Sequence, residues 1–139
     1  MKEKNGKKGD YGVTPKYEKV LDKILSLEEE NAPIKHLKKF EMVKIIKGDA
    51  STTVKNYLEK HKETVIGLAI FDMDMYKPTK KALKEIKKRL FKGSILVFDE
   101  LSHSSFPGET QALIKEIGLN NLKLNSFHGQ NGGCWVEII

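Results

Sequence analysis

Residues 65–79 read VIGLAIFDMDMYKPT, an apolar run followed at once by acidic residues and then by a proline. The run Val65–Phe71 is apolar almost throughout, which is typical of a parallel strand buried on both faces. Ser94–Phe98 (SILVF) is a second run of this kind. Between them, Pro78 opens an amphipathic pattern that predicts a helix. The apolar positions of that helix are Leu83, Ile86, Leu90 and Phe91.

Outward from this βαβ unit, the sequence predicts further helices and strands in both directions. In chain order they are a helix from Thr14-Pro15 to Asn31-Ala32-Pro33, a strand over Phe40–Lys47, a short helix capped by Ser51 or Thr52, a helix from Pro107 to Gly118, and strands over Leu122–Phe127 and Cys134–Ile138. Alternation of strands and helices predicts an α/β fold with a mostly parallel sheet. The last two strands, joined by a glycine-rich segment, predict an antiparallel hairpin.

The length of 139 residues allows one domain, and a hydrophobic fraction of 39% can fill a modest core. Residues 1–14 are rich in Lys and Gly and predict a basic flexible tail, which leaves residues 15–139 as the domain. The positive charge is concentrated in two local clusters, since Met1–Lys8 carries +3, Lys80–Lys92 carries +6 and the rest of the chain carries −3, for a net charge of +6. Local clusters of this kind do not favour nucleic-acid binding.

The single cysteine, Cys134, excludes an internal disulfide and a cysteine-based zinc site. No apolar stretch approaches the roughly 20 residues that a membrane helix requires. The basic N-terminus is not followed by an apolar run, so we expect no signal peptide in this sequence. We therefore expect a cytoplasmic protein that does not bind membranes.

Carboxylates follow all three predicted parallel strands, at the edge of the sheet where α/β proteins bind ligands. They are Asp49, Asp72, Asp74, Asp99 and Glu100. Such a cluster requires a cation, bound protons or basic neighbours because its members repel one another. The structural alternative is that acidic residues simply cap helices and form turns, and for Asp49 both interpretations stay open.

The pattern Asp72-Met73-Asp74 after an apolar strand also occurs in haloacid-dehalogenase-type phosphatases. Tyr76 stands where those enzymes usually have Thr or Val. Only 25 residues separate Asp74 from Asp99, which is too few for the intervening phosphatase motifs.

Three segments carry a closer resemblance. They are Gly48-Asp49, Phe71–Thr79 (FDMDMYKPT) and Lys92–Glu100 (KGSILVFDE), and Phe106–Thr110 (FPGET) with Ala112 extends the match. From about Asp10 onward the chain resembles the metal-dependent sugar O-methyltransferases of natural-product pathways, which are class I S-adenosylmethionine-dependent enzymes. The resemblance implies a Rossmann-like methyltransferase sheet with a C-terminal hairpin.

The resemblance also implies roles for individual residues. Asp72, Asp99 and Glu100 would be Mg²⁺ ligands, with Glu100 in place of the commoner Asp. Asp74 would be the general base that takes the proton of a sugar or polyol hydroxyl. Asp49, Ala50 and Asp72 would contact S-adenosylmethionine. His103 would contact the acceptor, although a loop histidine is more often only a polar surface residue.

The glycine-rich cofactor turn of class I methyltransferases is absent from these 139 residues, whose glycines never form Gly-x-Gly-x-x-Gly. By resemblance, the chain begins after the second strand of the family and lacks the two strands that would separate Met42–Lys47 from Val65–Phe71. Two functions therefore stay open. One is a methyltransferase represented by its C-terminal part, and the other is a non-catalytic α/β remnant that serves as an oligomerisation or partner-binding module. Because exposed strand edges favour association, we also expect a homo-oligomer.

Overall fold

A computed structural model describes residues 12, 14–33, 43–127, 129 and 133–139. In chain order, its elements are α1 (Tyr17–Asn31), α2 (Ala50–Lys60), β1 (Leu68–Phe71), α3 (Tyr76–Ile86), a 3₁₀ turn (Lys87–Arg89), β2 (Ile95–Phe98), α4 (Gly108–Glu116), β3 (Leu122–Ser126) and β4 (Cys134–Ile138). None of the helices in these ranges is long and apolar enough to cross a membrane.

Contacts divide the chain into two compact units, Gly6–Lys47 and a larger one that contains Gly48–Ile139. Within the smaller unit, α1 confirms the helix predicted from its apolar periodicity. No α1 side chain is buried within the described residues. Glu18 on α1 forms an ion pair with Lys47, with 2.8 Å between Oε1 and Nζ.

The larger unit contains a four-stranded mixed sheet in the order β1-β2-β4-β3. β1 and β2 are parallel, with Phe71 opposite Phe98. β4 is antiparallel to both β2 and β3. The predicted C-terminal hairpin is therefore confirmed, while part of its connecting turn lies outside the described residues.

One face of the sheet shares a single hydrophobic core with α2, α3 and α4. Leu83 of α3 and Leu96 and Phe98 of β2 are completely buried at its centre. The other core residues are Leu58, Phe71, Ala82, Ile86, Leu101, Ala112, Leu113 and Val136. Arg89 binds the end of α2 and the residues that follow it. Its guanidinium donates hydrogen bonds to the carbonyls of Leu58, Lys62 and Thr64, which satisfies carbonyl groups at the helix terminus.

Several sequence predictions of local structure need correction. β1 begins at Leu68 and is buried on one face only, because Leu68 and Ile70 are exposed on the other. α3 begins at Tyr76 and ends at Ile86, so Phe91 lies beyond it and is 51% exposed. The error in β1 arises because an apolar run shows that a segment can be buried, and not which neighbours cover it. The error in α3 arises because the apolar spacing continues to Phe91, beyond the residue at which the helix ends.

Two further predictions concern the segment before α2. Residues 43–47 form no strand, and the rest of the strand predicted over Phe40–Lys47 lies outside the described residues. The cap of α2 is Asp49 and not Ser51 or Thr52, because the Asp49 carboxylate accepts the Ser51 amide. The predicted tail, residues 1–14, lies outside the described residues except for positions 12 and 14.

We predict that Phe98→Ala destabilises the chain by about 3–5 kcal/mol, because it empties a completely buried site at the centre of the core. Phe91→Ala is the matched control and should cost less than about 1 kcal/mol, since its ring is half exposed. Urea unfolding followed by circular dichroism measures both. Equal losses for the two variants would contradict this packing.

Candidate active site

The register between β1 and β2 brings two acidic loops together. The rings of Phe71 and Phe98 stack with their centroids 4.9 Å apart, at the last paired position of the two strands. The Asp99 amide then donates a 3.2 Å hydrogen bond to the Phe71 carbonyl. Asp72 and Asp99 therefore leave the sheet side by side, as expected from the carboxyl ends of adjacent parallel strands.

Asp74 occupies a tight turn directly after β1. Its φ is +54°, in the left-handed region that residues other than glycine seldom adopt, although Asp does so more often than most. The Met75 amide donates to the Met73 carbonyl and so closes a three-residue turn around Asp74. Backbone strain of this kind is concentrated at functional sites.

The electrostatic environment of Asp74 raises the pKa of its carboxyl. Partial burial is the largest cause, and the negative charges of Asp72 and Asp99 act in the same direction. The charge of Asp99, in the loop after β2, therefore acts on Asp74, in the loop after β1. A carboxylate with a raised pKa is a stronger base than an ordinary surface aspartate.

Asp49 stands at the start of α2, immediately before Ala50. Its carboxylate accepts the Ser51 amide at 2.7 Å, and this hydrogen bond lowers the pKa of Asp49, with smaller contributions from the nearby Lys81 and Lys77. The capping interpretation is thus observed. Contact of Asp49 and Ala50 with a cofactor stays a prediction.

Glu100 and His103 face one another in the loop after β2. Glu100 Oε2 and His103 Nδ1 are 3.5 Å apart, and both atoms are shielded from solvent. The His103 ring also lies 5.4 Å from the ring of Phe106, measured between centroids. The predicted roles of Glu100 as a metal ligand and His103 as an acceptor contact are compatible with this placement at the edge of the sheet, and both stay predictions.

Glu109, in the first turn of α4, is a site residue that sequence reasoning missed. It is completely buried, and its carboxylate accepts backbone amides from both acidic loops, Met73 at 3.1 Å and Glu100 at 3.3 Å. Burial raises the pKa of Glu109, and these hydrogen bonds oppose that rise. The motif FPGET contained the residue, but glutamate in a first helical turn is too common to indicate burial.

Mg²⁺ binds carboxylate oxygens and commonly keeps several water ligands. Within the described part of the chain, no group of three His, Cys, Asp or Glu side chains is placed to hold a metal ion. Asp72, Asp99 and Glu100 are therefore not grouped as a three-carboxylate centre among the described residues. Their predicted role as Mg²⁺ ligands stays a prediction.

Comparison with solved structures identifies proteins with a similar fold. The crystal structure of CalS11, calicheamicin methyltransferase, matches with a TM-score of 0.81 and 34% identity over 93% of this chain. The apo structure of CalS11, named as a TDP-rhamnose 3'-O-methyltransferase of calicheamicin biosynthesis, matches with a TM-score of 0.78 and 34% identity over 92% of this chain. The chain has a methyltransferase Rossmann-like fold.

The match covers this chain more fully than it covers CalS11. The chain spans 49% of one CalS11 structure and 55% of the other, about half the length of each. No protein-family model matches the chain, and no curated protein sequence matches it significantly. What the comparisons show is therefore part of a methyltransferase fold, which extends over most of this chain.

We predict that Asp74→Asn stabilises the chain at pH 7. Asparagine tolerates a positive φ and removes a negative charge that burial, Asp72 and Asp99 all disfavour. Asp74 is only partly buried, so solvent screens much of the repulsion on its charge. The gain in the free energy of unfolding should therefore be about 0.5 kcal/mol, or roughly 2–4 °C in Tm.

The sign with pH follows from the raised pKa of Asp74. The folded state favours the protonated acid, so the wild-type chain loses stability as pH rises through the folded-state pKa. The advantage of Asp74→Asn should vanish below the ordinary aspartate value of 3.8. Thermal melts at pH 7 and at about pH 3.5 measure this difference, and a gain of equal size at both would disprove the electrostatic cause.

Proposed function

We propose that this α/β unit takes part in O-methyl transfer from S-adenosylmethionine to a hydroxyl of a sugar. The observation that carries the proposal is Asp74, a carboxylate with a raised pKa on a strained turn at the ligand-binding edge of a methyltransferase fold. The activity for which CalS11 is named, 3'-O-methylation of TDP-rhamnose, supports a sugar as the acceptor, and a sugar attached to a nucleotide is the first class of acceptor to test.

The proposed reaction places one proton transfer on Asp74. The cofactor supplies a methyl group on a positively charged sulfur. The acceptor oxygen forms a bond to the methyl carbon while the carbon–sulfur bond breaks, and the hydroxyl proton passes to the Asp74 carboxylate. The negative charges of Asp72 and Asp99 beside Asp74 favour a positively charged ligand at this edge.

We propose that the described residues form one side of a cofactor site. Asp49 and Ala50 at the start of α2, together with Asp72 at the end of β1, are the residues that we propose contact the cofactor. The glycine-rich turn is not among the 139 residues. We therefore propose that it comes from a further α/β segment, either in a longer form of this chain or in a second chain.

Magnesium assistance is a separate proposal from methyl transfer. Because the described carboxylates do not converge on a metal position, no step is assigned to Mg²⁺ here. A cation would have to draw Asp72, Asp99 and Glu100 together on binding. The cofactor titration below, run with and without Mg²⁺, tests whether it does.

Calorimetric titration of the chain with S-adenosylhomocysteine tests the proposed function. We expect binding with a dissociation constant below about 1 mM, weakened at least about tenfold by Asp72→Asn, because that carboxylate stands at the proposed cofactor edge. Glu59→Gln on the exposed surface of α2 is the control and should bind like the wild type. A folded chain that shows no binding would refute a cofactor site formed by these residues alone.

The outer side of β1 favours a second candidate function, that of a partner-binding module. Val65, Leu68 and Ile70 are 72%, 58% and 68% exposed, and β1 lies at the edge of the described sheet. The carbonyls of Gly67 and Phe71 accept hydrogen bonds from the β2 side, so the backbone groups of Leu68 and Ile70 point outward. The segment that carries the glycine-rich turn is the occupant that we propose for this edge.

We predict that the isolated chain associates with itself through β1 when that segment is absent. Ile70→Lys should lower the association constant at least about tenfold, because lysine on an edge strand opposes pairing between edges. Ile114→Lys on α4, where isoleucine is 50% exposed, is the matched control. Sedimentation equilibrium measures both, and equal effects of the two variants would refute pairing at β1.

A further inference from the structure

The first turn of α4 contacts both acidic loops of the candidate site. Glu109 accepts the Met73 amide on Oε1 and the Glu100 amide on Oε2. The adjacent Thr110 accepts the Ser102 amide on its hydroxyl at 2.7 Å. Two consecutive side chains therefore hold backbone groups from the loop after β1 and from the loop after β2.

Both loops contain a residue with unfavourable backbone geometry. Asp74 has a φ of +54° and Ser102 has a φ of +62°. A non-glycine residue remains in this region only where the surrounding contacts determine its conformation. Two of the three amides held by α4 are close to these residues, namely that of Met73, one residue before Asp74, and that of Ser102 itself.

Gly108 allows α4 to approach the Asp74 turn this closely. A Cβ at position 108 would lie 2.4 Å from the Asp74 carbonyl oxygen and 2.5 Å from the Tyr76 amide nitrogen. Both atoms belong to backbone, so neither could move without shifting the turn. Glycine is therefore required by close approach at a position where φ is not itself unusual.

Glu109 is unusual because it is a carboxylate that is completely buried. Acidic side chains are almost never buried in this way unless they are paired. Here both carboxylate oxygens accept backbone N–H groups, which compensates for the loss of water. A glutamine side chain has only one acceptor oxygen, because its other terminal group is an NH₂ donor. It could therefore accept a hydrogen bond from only one of these two amides.

From these contacts we propose that Gly108 and Glu109 are positioning residues that hold the Asp74 turn in its left-handed conformation and fix it against the loop after β2. The inference rests on the proposed function, in which Asp74 accepts the proton of the acceptor hydroxyl. Neither residue touches a reacting atom. They act through the Met73 amide and the Asp74 backbone, which determine where the Asp74 carboxylate points.

Nuclear magnetic resonance on the isolated chain tests this inference without substrate. In Glu109→Gln, we expect amide hydrogen exchange at Met73 or Glu100 to accelerate at least about tenfold relative to the amides of β2. Scalar couplings should show that Asp74 leaves the positive-φ region in Gly108→Ala. Glu116→Gln, a carboxylate on the same helix that pairs with Lys87, is the matched control.

A role limited to core stability predicts a different result. Exchange would then accelerate equally at all amides of the unit, and the φ of Asp74 would stay positive. Unchanged exchange at both Met73 and Glu100 would also overturn the proposal. Thr110→Val adds an internal contrast, because it should release the Ser102 amide while Asp74 keeps its conformation.

Kinetics separate this inference from the proposed function. In a methyl-transfer assay on the chain with S-adenosylmethionine and a nucleotide-linked sugar, Glu109→Gln should lower kcat at least about tenfold with little change in KM. An unchanged kcat would overturn the positioning role. An inactive wild-type chain that still shows the expected exchange pattern would contradict the proposed function and leave the contacts of Glu109 established.

Discussion

The parallel register of β1 on β2 is the constraint on which the rest of the site depends. The rings of Phe71 and Phe98 stack at the last paired position of the two strands, and both belong to the hydrophobic core. A shift of one residue in either strand would turn its buried aromatic ring to the opposite face of the sheet. The register therefore fixes which residues leave the sheet together, and those residues are Asp72 and Asp99.

Bringing these carboxylates together opposes the stability of the fold. The raised pKa of Asp74 records the unfavourable contribution from burial and from its acidic neighbours. The chain retains this arrangement with contacts from α4, in which Glu109 binds backbone groups of both loops. Functional sites commonly reduce the stability of a fold, because their groups are held in energetically unfavourable positions.

Sequence patterns were sufficient for features that depend on local periodicity. The apolar runs of β1 and β2, the amphipathic α3 and the C-terminal hairpin followed from residue spacing, as did the acidic residues at the strand ends. The one-sided burial of β1 and the complete burial of Glu109 did not follow, because each depends on which segments pack together. Asp49 was open to two interpretations for the same reason, since capping and ligand binding use the same carboxylate.

The ionisation of Asp74 tests most directly whether the two strand ends form one site. Carbon-detected magnetic resonance can follow the Asp74 carboxyl through a pH titration in the wild-type chain and in Asp99→Asn. Because Asp99 contributes to the raised pKa of Asp74, this account predicts that the titration of Asp74 moves to lower pH in the variant. An Asp74 titration that is the same in both proteins would contradict it.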